Sequence, residues 1–121
     1  MMDVEHGYRD LAHGVSAKLA QLRKSTPEVM KAFGELGRAA TKDGVLDAKT
    51  KELIALALSV AVRCDPCIAF HTQTLVKLGA TRQEIDETLG VATYMGGGPS
   101  LMYAASAVAA FEEFAVAAKA G

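Results

Sequence analysis

Helix-start and helix-stop signals punctuate this sequence, and the segments between them carry apolar residues at steps of three and four. A chain written that way buries itself by packing helices, not by pairing strands. Ser25-Thr26-Pro27-Glu28 starts one helix, because Thr26 can cap free backbone N–H groups and Pro27 lacks a donor that would otherwise need a partner. Asp47 stands before a third helix. Asp65 is expected to cap a fourth, with Pro66 at its first position and Cys67 at its second. Gly79 is the stop for that helix. Thr81-Arg82-Gln83-Glu84 has the pattern of a capping box, in which the Thr81 and Glu84 side chains each bond the other's N–H. Gly96-Gly97-Gly98-Pro99 interrupts the last apolar stretch. The expectation is a single all-α domain over residues 1–121, compact and of about six helices. They run over 5–23, from Pro27 to about Thr41, from after Asp47 to about Val62, to about Leu78, from Thr81, and from about Ser100 to Ala118.

The faces follow from the same spacing. Leu11, Val15, Leu19 and Leu22 line the first helix, with His13 on a polar or interfacial side; Val29, Met30, Phe33 and Leu36 give the second an apolar side. In the third, Leu53, Ile54, Leu56, Leu58, Val60 and Val62 cover nearly the whole circumference, the mark of a central, buried helix. Polar Glu52 and Ser59 stand out there, two turns apart on one face. The last helix holds Ala104, Ala105, Ala107, Ala109 and Ala110, whose small side chains permit close backbone approach. Its apolar residues exceed what one stripe needs, which points to a homo-oligomer.

Composition removes several classes of function. Thirteen Lys and Arg against fourteen Asp and Glu leave a net charge near minus one, scattered along the chain, so nucleic acid is not an expected partner. The apolar run from Leu53 to Val62 is half of what crosses a bilayer, and a buried helix accounts for it. Asp3, Glu5, His6, Arg9 and Asp10 make the N-terminus too polar for a secretory signal. No membrane association and a cytoplasmic location are therefore expected. In a reducing compartment two cysteines at this spacing are catalytic or metal-binding sooner than structural.

Those cysteines carry the strongest chemical signal. A thiol becomes a useful nucleophile as a thiolate, and a helix N-terminus favours that charge through unpaired N–H groups and aligned dipoles. On this reading Cys67, inside the helix start, feels the terminus more strongly, while Cys64 gains from neighbouring Arg63. His71 lies four residues beyond Cys67, one turn along the same face, where imidazole can take the thiol proton or stabilise the thiolate. Three alternatives stay open: cysteines that merely fill a core, a non-enzymatic helical assembly protein, and a metal site of Cys64, Cys67 and His71 with Glu52 or His13. Glu52 is twelve residues before Cys64, so about 15–18 Å of helix separates their backbones. It reaches the thiols only if the two helices cross; by itself it reads equally well as a solvated carboxylate at a helix start.

The run Lys51-Glu52-Leu53-Ile54-Ala55-Leu56-Ala57, then Cys64-Asp65-Pro66-Cys67-Ile68-Ala69-Phe70-His71, Gly79-Ala80 and Glu84-Ile85 resembles the AhpD-like or carboxymuconolactone decarboxylase superfamily, in its cysteine-containing alkylhydroperoxidase branch. Gly96-Gly97-Gly98-Pro99 and Tyr103 are similar to its small single-domain members, and the likeness covers about residues 27–115. The resemblance implies a helical hairpin carrying the two cysteines and assembly as a homo-trimer or homo-hexamer. It implies Cys67 as the cysteine that attacks a hydroperoxide, Cys64 as the resolving cysteine, and His71 and Glu52 as proton-relay positions. It also implies no bound cofactor, but an external dithiol donor such as a lipoyl-bearing or thioredoxin-like protein; a general dithiol-disulfide oxidoreductase is the alternative. Well-studied peroxidase members have a histidine where this chain has Pro66, which cannot transfer a proton. Reduction of hydroperoxides by the Cys64/Cys67 cycle is the leading expectation, with redox activity in general the broader expectation beneath it. Decarboxylase members generally lack the cysteine pair, so lactone decarboxylation explains this chain poorly.

Overall fold

The structure is a computed structural model and describes residues 7–120. It contains five α-helices: α1 (Tyr8–Ser25), α2 (Pro27–Thr41), α3 (Ala48–Ala61), α4 (Asp65–Lys77) and α5 (Arg82–Ala120). The first two residues expected in the first helix, Glu5 and His6, lie outside the described residues. The fifth and sixth helices expected from the sequence are the two arms of α5, which meet at a kink at Gly97, within the expected break. There φ is 73° and ψ −156°, a conformation essentially restricted to glycine. Pro99 sits just beyond the kink and supplies no backbone N–H.

Most starts and stops form as the sequence indicates, because each is made from groups a few residues apart. The Asp47 carboxylate accepts from the Thr50 N–H at 2.8 Å and opens α3. Thr81 N–H donates to Glu84 at 2.9 Å and Glu84 N–H to the Thr81 hydroxyl at 3.1 Å, completing the capping box. Thr26 does precede α2, but its hydroxyl donates back to the Leu22 carbonyl and caps nothing ahead of it.

The α3–α4 hairpin packs against α5, and α1 lies over α4 and α5. The core is helical in its spacing: Leu56 and Val60 from α3, Ile68, Ala69 and Leu75 from α4, Ile85, Leu89 and Ala92 from the first arm of α5. Ala104, Ala107, Ala110, Phe111 and Phe114 come from its second arm. Each large side chain sealed here contributes about 1.5–3 kcal/mol, while the alanines let the backbones close on one another. By length and composition α5 could span a membrane. Part of its apolar surface belongs to this core, including Ile85, Leu89, Phe111 and Phe114, while Val91, Met95, Leu101 and Val116 are exposed.

Two expectations about burial need correction. The helix α3 is not buried around its circumference, since Ile54, Leu58 and Val62 are 48%, 60% and 69% exposed. Only one face enters the core, because α4 and α5 both lie on that side. Likewise α2 buries no residue at all, and Val29, Phe33 and Leu36 remain open on it.

Candidate functional site

The hairpin turn sets the site. After α3 the chain closes with Arg63 N–H on the Val60 carbonyl at 3.2 Å and Cys64 N–H on the Ser59 carbonyl at 3.0 Å. This is the paired pattern that ends many helices, and it requires a left-handed residue at its centre. Here that residue is Arg63, with φ 62°, the one non-glycine at positive φ among the described residues. The end of α4 uses the same pattern, with Gly79 N–H on Val76 and Ala80 N–H on Leu75, and there the left-handed position is glycine at φ 78°. An L-residue in that conformation costs about 1–2 kcal/mol, which Gly79 avoids and Arg63 does not.

The first turn of α4 then receives the cysteines one register away from the sequence expectation. Cys64, not Asp65, is the N-cap; Asp65, Pro66 and Cys67 follow as the first three helical residues. The Cys67 N–H points at Cys64 Sγ at 3.2 Å. Cys64 therefore holds the helix-terminal N–H that sequence reading assigned to the influence on Cys67, because a sulfur at the cap position can accept it where a carboxylate one residue later cannot. The two cysteines are joined as a disulfide, with Cα atoms 5.2 Å apart. Between them, Asp65 turns Oδ1 inward, where it is buried without a hydrogen-bond partner.

One turn along α4, His71 Nδ1 meets Glu52 Oε1 of α3 at 2.6 Å. Glu52 is only 7% exposed, so the helices do cross as its participation requires, and the reading of a solvated helix-start carboxylate does not hold. A carboxylate on Nδ1 favours the tautomer with the proton there and leaves Nε2 as the nitrogen free to exchange protons. Ser59, on the same face of α3 and also buried, donates its hydroxyl to the Ala55 carbonyl and takes no part in the pair. The Lys49–Glu84 ion pair, 2.8 Å long, ties the start of α3 to the start of α5.

His13 lies exposed in a groove with Arg9, Asp10, Glu112 and Glu113, between α1 and the end of α5. Among the described residues no three His, Cys, Asp or Glu side chains are grouped to hold a metal, so the four-ligand alternative does not assemble. Sequence reading missed the strained backbone of Arg63 and the inward turn of Asp65. The usual flag for a left-handed residue is a glycine, and at position 63 there is none.

A fold of packed helices with a CxxC disulfide at the head of a hairpin, and a Glu–His pair one turn further along α4, is consistent with a thiol-based redox class of helical protein. The family comparison agrees: residues 27–110 match the carboxymuconolactone decarboxylase family, and the chain belongs to it, with a cysteine pair consistent with the AhpD-like, cysteine-containing branch. The apo form of a carboxymuconolactone decarboxylase family protein from Legionella pneumophila superposes with a TM-score of 0.88 at 61% identity, covering 89% of this chain and 96% of that one. A family protein from Thermotoga maritima, for which involvement in an antioxidative response has been suggested, gives 0.81 at 34% identity over 91% of this chain and 94% of its own. An uncharacterized protein of Cupriavidus necator is 43% identical over 98 residues, 81% of this chain and 87% of its own. The fold and cysteine arrangement are consistent with a redox-active member of the family.

Proposed function

We propose that the chain reduces hydroperoxides through a Cys64/Cys67 dithiol-disulfide cycle. The observation that carries this reading is the buried Glu52 carboxylate on His71 Nδ1, one helical turn from Cys67. With Nδ1 occupied, His71 Nε2 takes the Cys67 thiol proton, and Glu52 stabilises the imidazolium that results. The Cys67 thiolate attacks the O–O bond; Cys67 becomes a sulfenic acid, and the alkoxide leaves with a proton as alcohol. Cys64 then attacks the sulfenic sulfur, forming the disulfide and expelling water. A disulfide between Cys64 and Cys67, the product this half-cycle requires, supports the reading. An external dithiol donor, lipoyl-bearing or thioredoxin-like, restores both thiols and is itself oxidised by two electrons. A cytoplasmic location suits this cycle, since the reducing pool there keeps donors reduced.

Peroxide consumption by wild type, Cys64→Ser and Cys67→Ser, coupled to a panel of dithiol donors, tests the cycle and both cysteine roles. Turnover undiminished by Cys67→Ser sinks it. A second reading is a general dithiol-disulfide oxidoreductase. It is favoured by Cys64 Sγ at the cap, where the helix N–H stabilises an exchanging thiolate. Fast exchange with small disulfides alongside negligible peroxide turnover selects it.

A further inference from the structure

We infer that Arg63 makes the Cys64–Cys67 disulfide selective for a donor that carries carboxylates beside its dithiol. This deepens the dithiol cycle proposed above and rests on Cys64 being the sulfur that meets the donor. Three observations carry it. Arg63 holds a left-handed conformation at a position where the same chain, at the end of α4, uses glycine. Glycine would close the α3 turn without strain, so the turn itself gives no reason for an arginine. The Arg63 side chain is exposed and forms no salt bridge or hydrogen bond among the described residues. Its charge is therefore not spent on the fold. It also immediately precedes the redox-active Cys64, while the nearest acid, Asp65, turns one oxygen inward and does not pair with it. An unspent, exposed guanidinium on the residue next to a disulfide sulfur raises the local concentration of anionic thiolates and offers their carboxylates a planar contact.

The step is ordinary thiol-disulfide exchange. A donor thiolate attacks Cys64 Sγ, the Cys64–Cys67 bond breaks, and Cys67 leaves as a thiolate that His71 can protonate. The donor's second thiolate attacks the mixed disulfide, Cys64 leaves as a thiolate, and the donor closes its own disulfide. Two electrons pass from donor to protein, and the two donor thiol protons end on the protein thiols or in solvent.

The test measures reduction of the oxidised protein by two small dithiols that each close a six-membered disulfide ring, dianionic meso-2,5-dimercaptoadipate and uncharged dithiothreitol, with protein thiols counted by alkylation. The readout is the ratio of the two rate constants within each variant, so general changes in disulfide reactivity cancel. Arg63→Gly is expected to lower that ratio about threefold to tenfold, with Arg63→Lys between Arg63→Gly and wild type and Arg63→Glu lowest. In wild type the preference should also shrink at high salt. Because Arg63→Gly relieves the left-handed strain, its thermal midpoint should lie at or above that of wild type, which keeps the comparison among folded proteins. A ratio in Arg63→Gly equal to that of wild type overturns the inference. Absence of peroxide turnover with the charge preference intact would instead count against the peroxidase reading alone, since this assay contains no peroxide.

Discussion

Replacing Glu52 by glutamine separates the charge of the carboxylate from its shape. The side chain is 7% exposed and 2.6 Å from His71 Nδ1. Glutamine can still accept from that nitrogen, so what is lost is the charge assistance: about 1.5–3 kcal/mol for an ionic hydrogen bond against about 0.5–1.5 for a neutral one. The difference, about 1–1.5 kcal/mol, is withdrawn whenever the imidazole becomes an imidazolium, and a step that forms one should slow about tenfold. Stability should move the other way. An ionised carboxylate held out of water costs several kcal/mol of desolvation, most of which an amide escapes. Glu52→Gln is therefore expected to melt at or above the wild-type temperature while pre-reduced protein loses its thiols to peroxide about tenfold more slowly. Single-turnover thiol titration and thermal unfolding by circular dichroism, run on the same preparations, check both halves. An unchanged thiol oxidation rate, with a midpoint several degrees lower, would refute this reasoning and make Glu52 a structural carboxylate.

Other expectations address the frame around the site. A Cβ on Gly96 would collide with Ser100 Oγ and lie 2.8 Å from its Cβ, and Ser100 is 2% exposed. Gly96→Ala should cost about 1–3 kcal/mol in denaturant unfolding, and combining it with Ser100→Gly should cost less than the two changes summed. Asp47 is held below its ordinary value by hydrogen bonds from Thr50, and Glu84 by the hydrogen bond from Lys49 and then by Thr81. Depressed carboxyls lend stability that is present above their ordinary values of 3.8 and 4.5 and lost as pH falls through the lower folded values. The melting temperature of an Asp47→Asn, Glu84→Gln double variant, scanned into acid, should fall less steeply than that of wild type. Phe33 is 70% exposed on α2, so Phe33→Glu should leave the unfolding free energy within about 0.5 kcal/mol. If the homo-oligomer expected from the sequence uses this face, the same change lowers the mass read by light scattering.

The parts of this fold that were legible in the sequence are those made over three or four residues. The Asp47 cap, the Thr81–Glu84 box and the Gly79 stop each involve groups close along the chain, and residue types limit what they can do. The cap of α4 was misplaced by one residue, because sulfur is a weak acceptor and a neighbouring aspartate is the stronger expectation. The Glu52–His71 contact spans 19 residues and depends on how α3 crosses α4, which helical periodicity does not encode; the family resemblance raised it, not the spacing. The same holds for the Glu113 carboxylate, which takes the N–H groups of Tyr8 and Arg9 at 3.2 and 2.9 Å from more than a hundred residues away. Exposure was misjudged on α2 and α3 for a related reason. An apolar stripe shows that a face is suited to burial, but not which neighbour covers it.

The capping sulfur of α4 bears on how redox loss can arise in such a chain. Serine is among the best residues at a helix cap, so an oxygen in place of Cys64 Sγ still receives the Cys67 N–H. Alanine there abandons it, at about 0.5–2 kcal/mol. A single sulfur-to-oxygen exchange would therefore silence the dithiol while the hairpin stands as before. A mutational scan read by folding alone would pass over that change, and only one read by electron transfer would register it.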